Sequence, residues 1–385
     1  MENSSKVSIE EGGPPYYHPL FGKGREVFFF KYHGSRNFLK GLRVIFSQIG
    51  GVVSQGDSVA VKVHMGEYGC DAYIRPPLVR RVCDLIKEAG GKPFVTDTTA
   101  LYPAGRFTAS QYLATAAFNG FTRESLQAPV VIADGEEGYD GQWVDIPKSV
   151  SGCSLDKVKV AEKILNADSM IVLSHVKGHE LSGFGGSIKN VAMGCVTKES
   201  KAAQHRVNRG EIDLDRCNGC GDCVEACRFK ALSLVNERIV RDDMKCMNCN
   251  HCLYLCPEEA YYLPPGAKER FQSYLACAAS GVLSQFRNKV AYINLVQDVT
   301  PLCDCAAPSG LPVVPDIGIV ASVDVVASDK ASLDLIAKAN PIGEYSKIAS
   351  PDILGEINGT DSLIQIRTAR ELGLGNMEYE LVEVE

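Results

Sequence analysis

The sequence predicts an α/β fold, a mostly parallel sheet with flanking helices, interrupted by a small cysteine-rich α+β domain. Two observations support this prediction. Short apolar segments, such as residues 58–64 and 169–175, alternate with segments whose apolar residues recur at helical spacing, as at 78–89. This alternation is typical of parallel sheets covered by helices. In addition, eight of the fifteen cysteines lie between residues 217 and 256, and the chain on either side of them shows the same alternation.

The length of 385 residues indicates more than one compact unit. Because loops tolerate inserted domains, we interpret the cysteine-rich segment as an insert within one α/β body. The predicted parts are an extended N-terminal arm at 1–24, the body at 25–210, the insert at 211–264 and the continuation of the body at 265–385.

The individual elements follow from apolar spacing and from the residues that bound it. Two pairs of glycines end helices, and a pair of prolines opens one. The predicted strands are 27–30, 58–64, 92–97, 130–133, 169–175, 290–296, 316–321 and 323–327. The predicted helices are 38–49, 78–89, 110–119, one starting at about 187, 271–283 and 332–339.

The cysteines of the insert form two runs with the same spacing, C-x2-C-x2-C-x3-C. At this spacing three thiolates surround one cubane cluster, while the fourth reaches the other cluster. The sequence therefore predicts two [4Fe–4S] clusters. The ligands of the first are Cys217, Cys220, Cys223 and Cys256, and those of the second are Cys246, Cys249, Cys252 and Cys227.

Zinc sites and disulfides are the alternatives for these cysteines. Zinc takes four ligands, often as two separated pairs, which leaves the third cysteine of each run without a role. Disulfides require an oxidising compartment. The insert resembles a bacterial two-cluster ferredoxin, with a short apolar segment after each run at 231–235 and 260–263. Arg228 departs from that resemblance, because the family usually has proline there; this affects the turn and not the ligands.

Composition argues against several classes of function. A net charge of −7 without a basic arm disfavours nucleic acid as a partner. No apolar run approaches the ~18 residues of a membrane span, and the first ten residues lack the features of a secretory signal. We therefore expect a cytoplasmic protein without membrane contact. In a reducing compartment, fifteen cysteines favour metal and thiol chemistry, and oxygen-sensitive clusters suit an anaerobic niche.

Two predicted strands end in histidine, with a lysine two residues away. Lys62 and His64 leave one face of the strand at 58–64, and His175 ends the strand at 169–175. Ligands of α/β proteins bind at such strand ends. The expected catalytic residues are His64, His175, His179 and Glu180, and Lys62 and Lys177 are expected to bind a cofactor or substrate.

Protonated histidine and lysine binding an anion is the favoured interpretation of these residues. A metal site is the second interpretation, because His175 and His179 share a face if their segment is helical, and His64 would complete a three-histidine set. Structural, hydrogen-bonded histidines are the third.

A glycine-rich turn follows the second strand end. Gly183, Gly185 and Gly186 precede a helix expected from about Ser187, and such a turn exposes backbone N–H groups to an anion. Lys189 adds a positive charge, so Gly185, Gly186 and Lys189 are further candidates for cofactor binding. The spacing fits neither a dinucleotide fingerprint nor a Walker A loop. Cys303 and Cys305 are too close together for the cubane pattern and are either redox-active or merely exposed.

Five phrases outside the insert resemble the family known as domain of unknown function 362. They lie at 61–66, 75–79, 91–97, 173–180 and 185–190, and the resemblance spans about residues 26–330. Members often carry a two-cluster ferredoxin segment at this place. The resemblance implies an α/β body and anaerobic redox metabolism, and it leaves the reaction open.

The principal hypothesis is an iron–sulfur oxidoreductase that passes single electrons through two [4Fe–4S] clusters to a small anionic substrate or cofactor. The alternatives are a maturation protein for a metal centre or cofactor, and an electron-transfer subunit of a larger complex. A ferredoxin-like redox protein is the expected partner, as donor or acceptor. The sequence leaves open whether a flavin or a mononuclear metal also binds, and whether the chain forms a homodimer.

Overall fold

An eight-stranded sheet organises the computed structural model, which describes residues 25–32 and 37–385. The arm predicted at 1–24 lies outside the described residues. The sheet strands are β1 (Glu26–Lys31), β2 (Ser58–Lys62), β3 (Lys92–Asp97), β4 (Val130–Ile132), β7 (Ser169–His175), β14 (Val290–Val296), β15 (Gly318–Ser322) and β16 (Glu380–Glu383). The short strands are β5 (Gly141–Asp145), β6 (Lys157–Ala161), β8 (Lys177–His179), β9 (Gly183–Gly185), β10 (Glu211–Ile212), β11 (Leu232–Val235), β12 (Arg238–Arg241) and β13 (Tyr261–Tyr262).

Thirteen α-helices connect and cover these strands within the described ranges. They are α1 (Phe38–Ile49), α2 (Pro76–Glu88), α3 (Ala109–Phe118), α4 (Arg123–Leu126), α5 (Glu162–Leu165), α6 (Ser187–Gly194), α7 (Lys198–His205), α8 (Asp222–Ala226), α9 (His251–Leu255), α10 (Ala267–Leu283), α11 (Val325–Lys338), α12 (Ile353–Asn358) and α13 (Ile364–Glu371). Among the described residues, none of these helices has the length and apolar character needed to span a bilayer.

The sheet has the order β16-β1-β15-β14-β7-β2-β3-β4. From β14 to β4 every neighbouring pair is parallel. β15 is antiparallel to both of its neighbours, and β16 pairs parallel with β1. The predicted α/β fold with a mostly parallel sheet is therefore confirmed.

Alternate residues of the central strands fill two separate cores. In β7, Met170 and Val172 belong to one core, and Ile171 and Leu173 belong to the other. Residues of α6, α10, α11 and α13 complete the first core, and residues of α1, α2 and α3 complete the second. Burial on both faces explains why these strands are continuous apolar runs.

One predicted element was wrong. Residues 323–327 were expected to form a strand, but α11 begins at Val325. The Asp324 side chain accepts a hydrogen bond from the Ala327 backbone N–H at 2.9 Å, which is an N-cap. This cap and the burial of the first helical turn outweigh the strand preference of the valines.

The segment 211–264 contributes no strand to the large sheet. It contains two strand pairs, β10–β13 and β11–β12, and the short helices α8 and α9. Glu211 pairs with Tyr262 in antiparallel register, so the two ends of the segment lie side by side. Its own hydrophobic core has four buried residues, which are Cys223, Leu232, Ile239 and Tyr261.

Candidate functional site

The carboxyl ends of the central strands lie together at one edge of the sheet. β2 ends at Lys62 and β3 ends at Asp97. Both side chains are buried, and Lys62 Nζ lies 2.9 Å from Asp97 Oδ1 and 2.5 Å from Asn190 Oδ1. Burial alone would raise the pKa of Asp97, but the Lys62 ammonium lowers it below its ordinary value. A buried, charged ion pair therefore forms part of this edge.

A cavity of about 410 Å³ opens at this edge of the sheet, a size typical of small-molecule sites. Loops and helices of the body form most of its wall, and the insert contributes the rest. The structure brings the nine candidate residues of the body into this wall. They are Lys62, His64, His175, Lys177, His179, Glu180, Gly185, Gly186 and Lys189.

Asp304, which the sequence analysis did not identify, anchors the loop after β14 to the cavity. Its buried carboxylate lies 2.7 Å from His175 Nδ1 and 3.4 Å from Lys177 Nζ. Its backbone carbonyl accepts a hydrogen bond from the Glu67 N–H at 2.8 Å. Burial would raise the pKa of this carboxyl group, yet Lys177 and His175 hold it well below its ordinary value. The loop is thus fixed by a charged group.

His175 positions Asp304. Its Nδ1 faces the Asp304 carboxylate, and its Nε2 lies 2.9 Å from the Gln297 carbonyl and 3.1 Å from the Asp298 carbonyl. Because acceptors occupy both ring nitrogens, neither is available to a metal. The three-histidine metal site is also incompatible with the local structure, since His175 ends β7 and His179 lies on β8, and no helix joins them.

Burial works against the protonated side chains that the sequence interpretation expects for His64 and His179. Burial, with the nearby Arg106 guanidinium, lowers the pKa of His64 well below its ordinary value. Burial and the Lys189 ammonium do the same to the pKa of His179. Both therefore offer neutral imidazoles rather than positive charges to a ligand.

Glu180 lies on the border between the body and the insert. Its Oε1 accepts a hydrogen bond of 2.7 Å from the Tyr254 hydroxyl, and Tyr254 belongs to α9. A catalytic role was expected for Glu180, but its hydrogen bond with Tyr254 also gives it a structural role between the body and the insert.

The N-terminus of α6 does not offer its first N–H groups to a ligand. The helix begins at Ser187, as predicted, but Ser187 N–H and Ile188 N–H donate to the buried Asp329 carboxylate at 2.7 and 2.9 Å. Asp329 comes from α11 and therefore takes the place that an anion was expected to occupy. Gly185 and Gly186 line the cavity, but the protein itself caps the helix.

Lys189 differs from the other cations of the cavity. Carboxylates lie within ion-pair distance of Lys62, Arg106, Lys177 and Lys201. Among the described residues, no such partner is found for Lys189. Burial and the neighbouring Lys177 lower the pKa of Lys189 to about 7. An anion entering the cavity would thus find one cation without a carboxylate partner.

The insert forms one wall of the cavity through Cys249, Asn250, His251 and Tyr254. Asn250 Nδ2 donates to the Asn208 carbonyl at 2.8 Å, and Asn248 Nδ2 donates to the Ala202 carbonyl at 3.1 Å. The Arg228 guanidinium lies 4.3 Å from the centre of the Phe107 ring. Arg228, which stands where ferredoxins usually have proline, therefore contacts the body.

The eight cysteines of the insert surround two small voids. Those on the wall of one void include Cys217, Cys220, Cys223 and Cys256. Those on the wall of the other include Cys227, Cys246, Cys249 and Cys252, together with Cys223. All eight are free thiols. The fourth cysteine of each run accepts a backbone N–H at 3.3 Å, from Ala231 to Cys227 and from Ala260 to Cys256.

Several residues of the cavity were not found from the sequence. Asp97 ends a strand that the sequence predicts, and this position was the only sequence feature that could have identified it. Arg106, which pairs with Glu67 at 3.0 Å, and Lys201 had no local signal, because their side chains reach the cavity from loops and helices. Cys303 and Cys305 also line the cavity and are joined as a disulfide, so they are not merely exposed.

Comparisons with known proteins give a family match. A family described as "Domain of unknown function (DUF362)" matches residues 59–334. A thylakoid-associated protein of Synechocystis sp. (strain ATCC 27184 / PCC 6803 / Kazusa) is 28% identical over 177 residues, which cover 44% of this chain and 49% of that protein. The chain thus spans about half the length of this curated relative.

Two solved structures resemble part of the chain at 12% identity. The lactate racemase apoprotein from Thermoanaerobacterium thermosaccharolyticum aligns with a TM-score of 0.36 over 72% of this chain and 51% of its own. A protein from Thermotoga maritima aligns with a TM-score of 0.40 over 77% of this chain and 57% of its own.

Proposed function

Because the chain belongs to the DUF362 family, whose description assigns no activity, we propose its function from the chemistry of the cavity and of the insert. We propose that it is an iron–sulfur oxidoreductase. In this proposal the insert, residues 211–264, is a ferredoxin-like domain with two [4Fe–4S] clusters, and the cavity binds a small anionic substrate or cofactor. The clusters supply single electrons.

The residues of the insert fit two clusters. The first set would be Cys217, Cys220, Cys223 and Cys256, and the second Cys246, Cys249, Cys252 and Cys227. The four cysteines of each set line one void, and Cys223 lines both voids, which supports this assignment. N–H groups near Cys227 and Cys256 suit thiolate acceptors. A core of four buried residues is small for a unit of this length, and such units usually need a metal or another staple.

The position of Cys249 carries the proposal. Its side chain lies on the wall of the second void and on the wall of the cavity. A ligand in the cavity would therefore be separated from the second cluster by little more than one cysteine side chain. Cys220, which does not line the cavity, is exposed, and this suits an electron-transfer partner of the ferredoxin class.

The charges of the cavity support an anionic ligand. Lys189 has no carboxylate at ion-pair distance among the described residues, and Lys177 lies close enough to lower its pKa. A carboxylate or phosphate group between these two ammonium groups would form charge-assisted hydrogen bonds. His64 and His179, as neutral imidazoles, would donate or accept hydrogen bonds at the same ligand.

Reoxidation of the reduced protein tests the proposal. Anaerobic protein should contain about eight iron and about eight sulfide atoms per chain. After reduction with dithionite, it is mixed with a panel of carboxylates and phosphates that carry a reducible group, and cluster absorbance is followed. At least one compound should accelerate reoxidation. Lys189→Gln should slow that reaction by about tenfold or more, the effect of losing one charged hydrogen bond.

The matched control is Lys330→Gln, which removes a lysine paired with Asp334 on α11 and should leave the rate unchanged. If no compound accelerates reoxidation although the iron content is complete, the protein is an electron carrier and the proposed reductase activity is wrong. If the iron content is near zero, the cluster assignment itself is wrong.

A further inference from the structure

A third group of metal-ligating side chains lies in the cavity, separate from the eight cysteines of the insert. Cys303 Sγ, Cys305 Sγ and a ring nitrogen of His179 lie within 4.8 Å of one another. Cys303 and His179 are buried, Cys305 is half-buried, and all three line the cavity. The group therefore combines two sulfur atoms and one imidazole at a distance that a single ion spans.

The sulfur atoms are held in place by the residue between them. Asp304 is buried beneath the loop, where its carboxylate contacts His175 and Lys177 and its carbonyl contacts Glu67. Cys303 and Cys305 flank this anchor and remain on the cavity wall. The loop that carries the two sulfur atoms is thus anchored by a buried ion pair, and the two atoms must separate when the disulfide between them is reduced.

The His179 ring is held as well. It stacks on Phe271 with 6.4 Å between ring centres, and its Nδ1 lies 3.1 Å from Ser182 Oγ and 3.2 Å from Leu181 N. Since the Ser182 hydroxyl donates to the Phe184 carbonyl, its oxygen can accept a hydrogen from Nδ1. In that tautomer Nε2 carries the lone pair, the usual arrangement of a metal-binding histidine. The Leu181 N–H donates to Nδ1 and so favours the tautomer with the proton on Nε2. A metal bound to Nε2 would instead select the tautomer with the proton on Nδ1.

We propose that His179, Cys303 and Cys305 bind one divalent metal ion of the zinc type when the two cysteines are reduced. Two thiolates and one imidazole form a Cys₂His set, in which zinc has three protein ligands and one open position. The cavity with Lys177 and Lys189 surrounds this group, so an anion can complete the coordination. This site replaces the three-histidine set considered from the sequence.

Metal binding at these two cysteines requires that they first be reduced. Cys303 and Cys305 form a disulfide in the structure. A thiol or phosphine reductant delivers two electrons to the S–S bond, which breaks and takes up two protons to give two thiols. The metal ion then displaces both protons when it binds the thiolates. The inference adds a metal to the proposed anion site but does not depend on the clusters.

Zinc uptake by the anaerobic, full-length protein tests the inference. The protein is dialysed against Zn²⁺ before and after treatment with a phosphine reductant, and zinc and iron are measured separately. Reduction should increase bound zinc by about one ion per chain. Zinc-edge X-ray absorption should then give two sulfur neighbours at ~2.3 Å and a nitrogen at ~2.0 Å.

Variants identify the ligands. The double variant Cys303→Ser, Cys305→Ser should lose the added zinc, and His179→Gln should weaken its binding by about tenfold or more, both with unchanged iron. Cys153→Ser, a half-buried cysteine outside the cavity, is the matched control and should bind zinc like the parent. Equal zinc uptake by parent and double variant, uptake independent of reduction, or four sulfur neighbours would overturn the inference. Iron content reports separately on the clusters, and zinc bound before reduction is subtracted, so that only the zinc gained on reduction is assigned to this site.

Discussion

Gly194 illustrates how single residues shape the cavity. A Cβ atom at this position would overlap the end of the Lys62 side chain and lie 2.8 Å from Asp97 Oδ1. Only glycine therefore lets the Lys62 side chain pass α6 and reach its carboxylate. The buried ion pair at the strand ends depends on this close approach, which no pattern of charged residues in the sequence reveals.

Lys189 makes anion binding dependent on pH. Its pKa is lowered to about 7 in the free protein by burial and Lys177, and a bound anion would raise it again. The affinity for the anion should therefore be highest below pH 7, where Lys189 is protonated, and fall by up to about tenfold per pH unit above it. Sulfate is a suitable probe because its charge is constant in this range, and calorimetry gives the affinity. The charged groups that face Lys189 are Lys177, Asp304, Arg106 and Glu180.

Lys189→Gln should remove this pH dependence and reduce affinity to the high-pH level of the parent. Lys330→Gln, whose side chain does not line the cavity, should keep the parental profile. A flat profile for the parent, or an unchanged slope in Lys189→Gln, would mean that Lys189 does not bind the anion.

The sequence led to the strand-end residues of the cavity but not to their partners. His64, His175 and Lys62 were recognisable because they follow apolar strands directly. Asp304 reaches the same place from more than a hundred residues later in the chain, and nothing near it in sequence indicates which strand end it meets. The protonation states of His64 and His179 could not be predicted either, because burial determines them.

At the scale of elements, the contact between α6 and α11 should be a source of stability. Asp329 accepts hydrogen bonds from Ser187 N–H, Ile188 N–H and Asn294 Nδ2. In Asp329→Asn one acceptor oxygen becomes an NH₂ group that faces a buried donor. We expect the free energy of unfolding to fall by about 1–3 kcal/mol, measured by urea unfolding at neutral pH with circular dichroism.

Asp84→Asn is the comparison for that variant. Asp84 is partly exposed and pairs with Arg80 four residues away on α2, a type of pair worth about 0.3–0.5 kcal/mol. Equal losses for the two variants would contradict a special role for Asp329.

The elements that the sequence predicted best are those whose apolar pattern was continuous. β7 and β14 agree with prediction at both ends, since strands buried on both faces carry apolar residues at successive positions. β16, which closes one edge, is mostly exposed and polar and was not predicted. The strand predicted at the start of α11 was wrong because the helix cap, Asp324, was overlooked.

At the scale of the whole molecule, the insert should be removable. All eight strands of the large sheet lie outside residues 211–264, and Glu211 pairs with Tyr262, so a short glycine linker can close the gap. The shortened chain should keep a cooperative unfolding transition and its helical circular dichroism, while it loses iron and visible absorbance. Anion affinity should decrease, because the cavity loses the wall formed by α9 and its loop.

The appropriate control is the full-length protein treated with a chelator, which lacks iron but keeps the insert. If the shortened chain has no cooperative transition whereas the chelated protein does, the body requires the insert for folding, and the domain boundaries proposed for the insert are wrong.

The pairing of β10 with β13 also bears on how such a chain can originate. Because the two ends of the insert lie side by side, a single in-frame gene insertion would be enough to add it, and every strand of the large sheet would keep its neighbours. A chain with the same body and no cysteines at this point would still contain all eight strands of the large sheet. Such an addition would also supply the cavity wall formed by Cys249, Asn250, His251 and Tyr254.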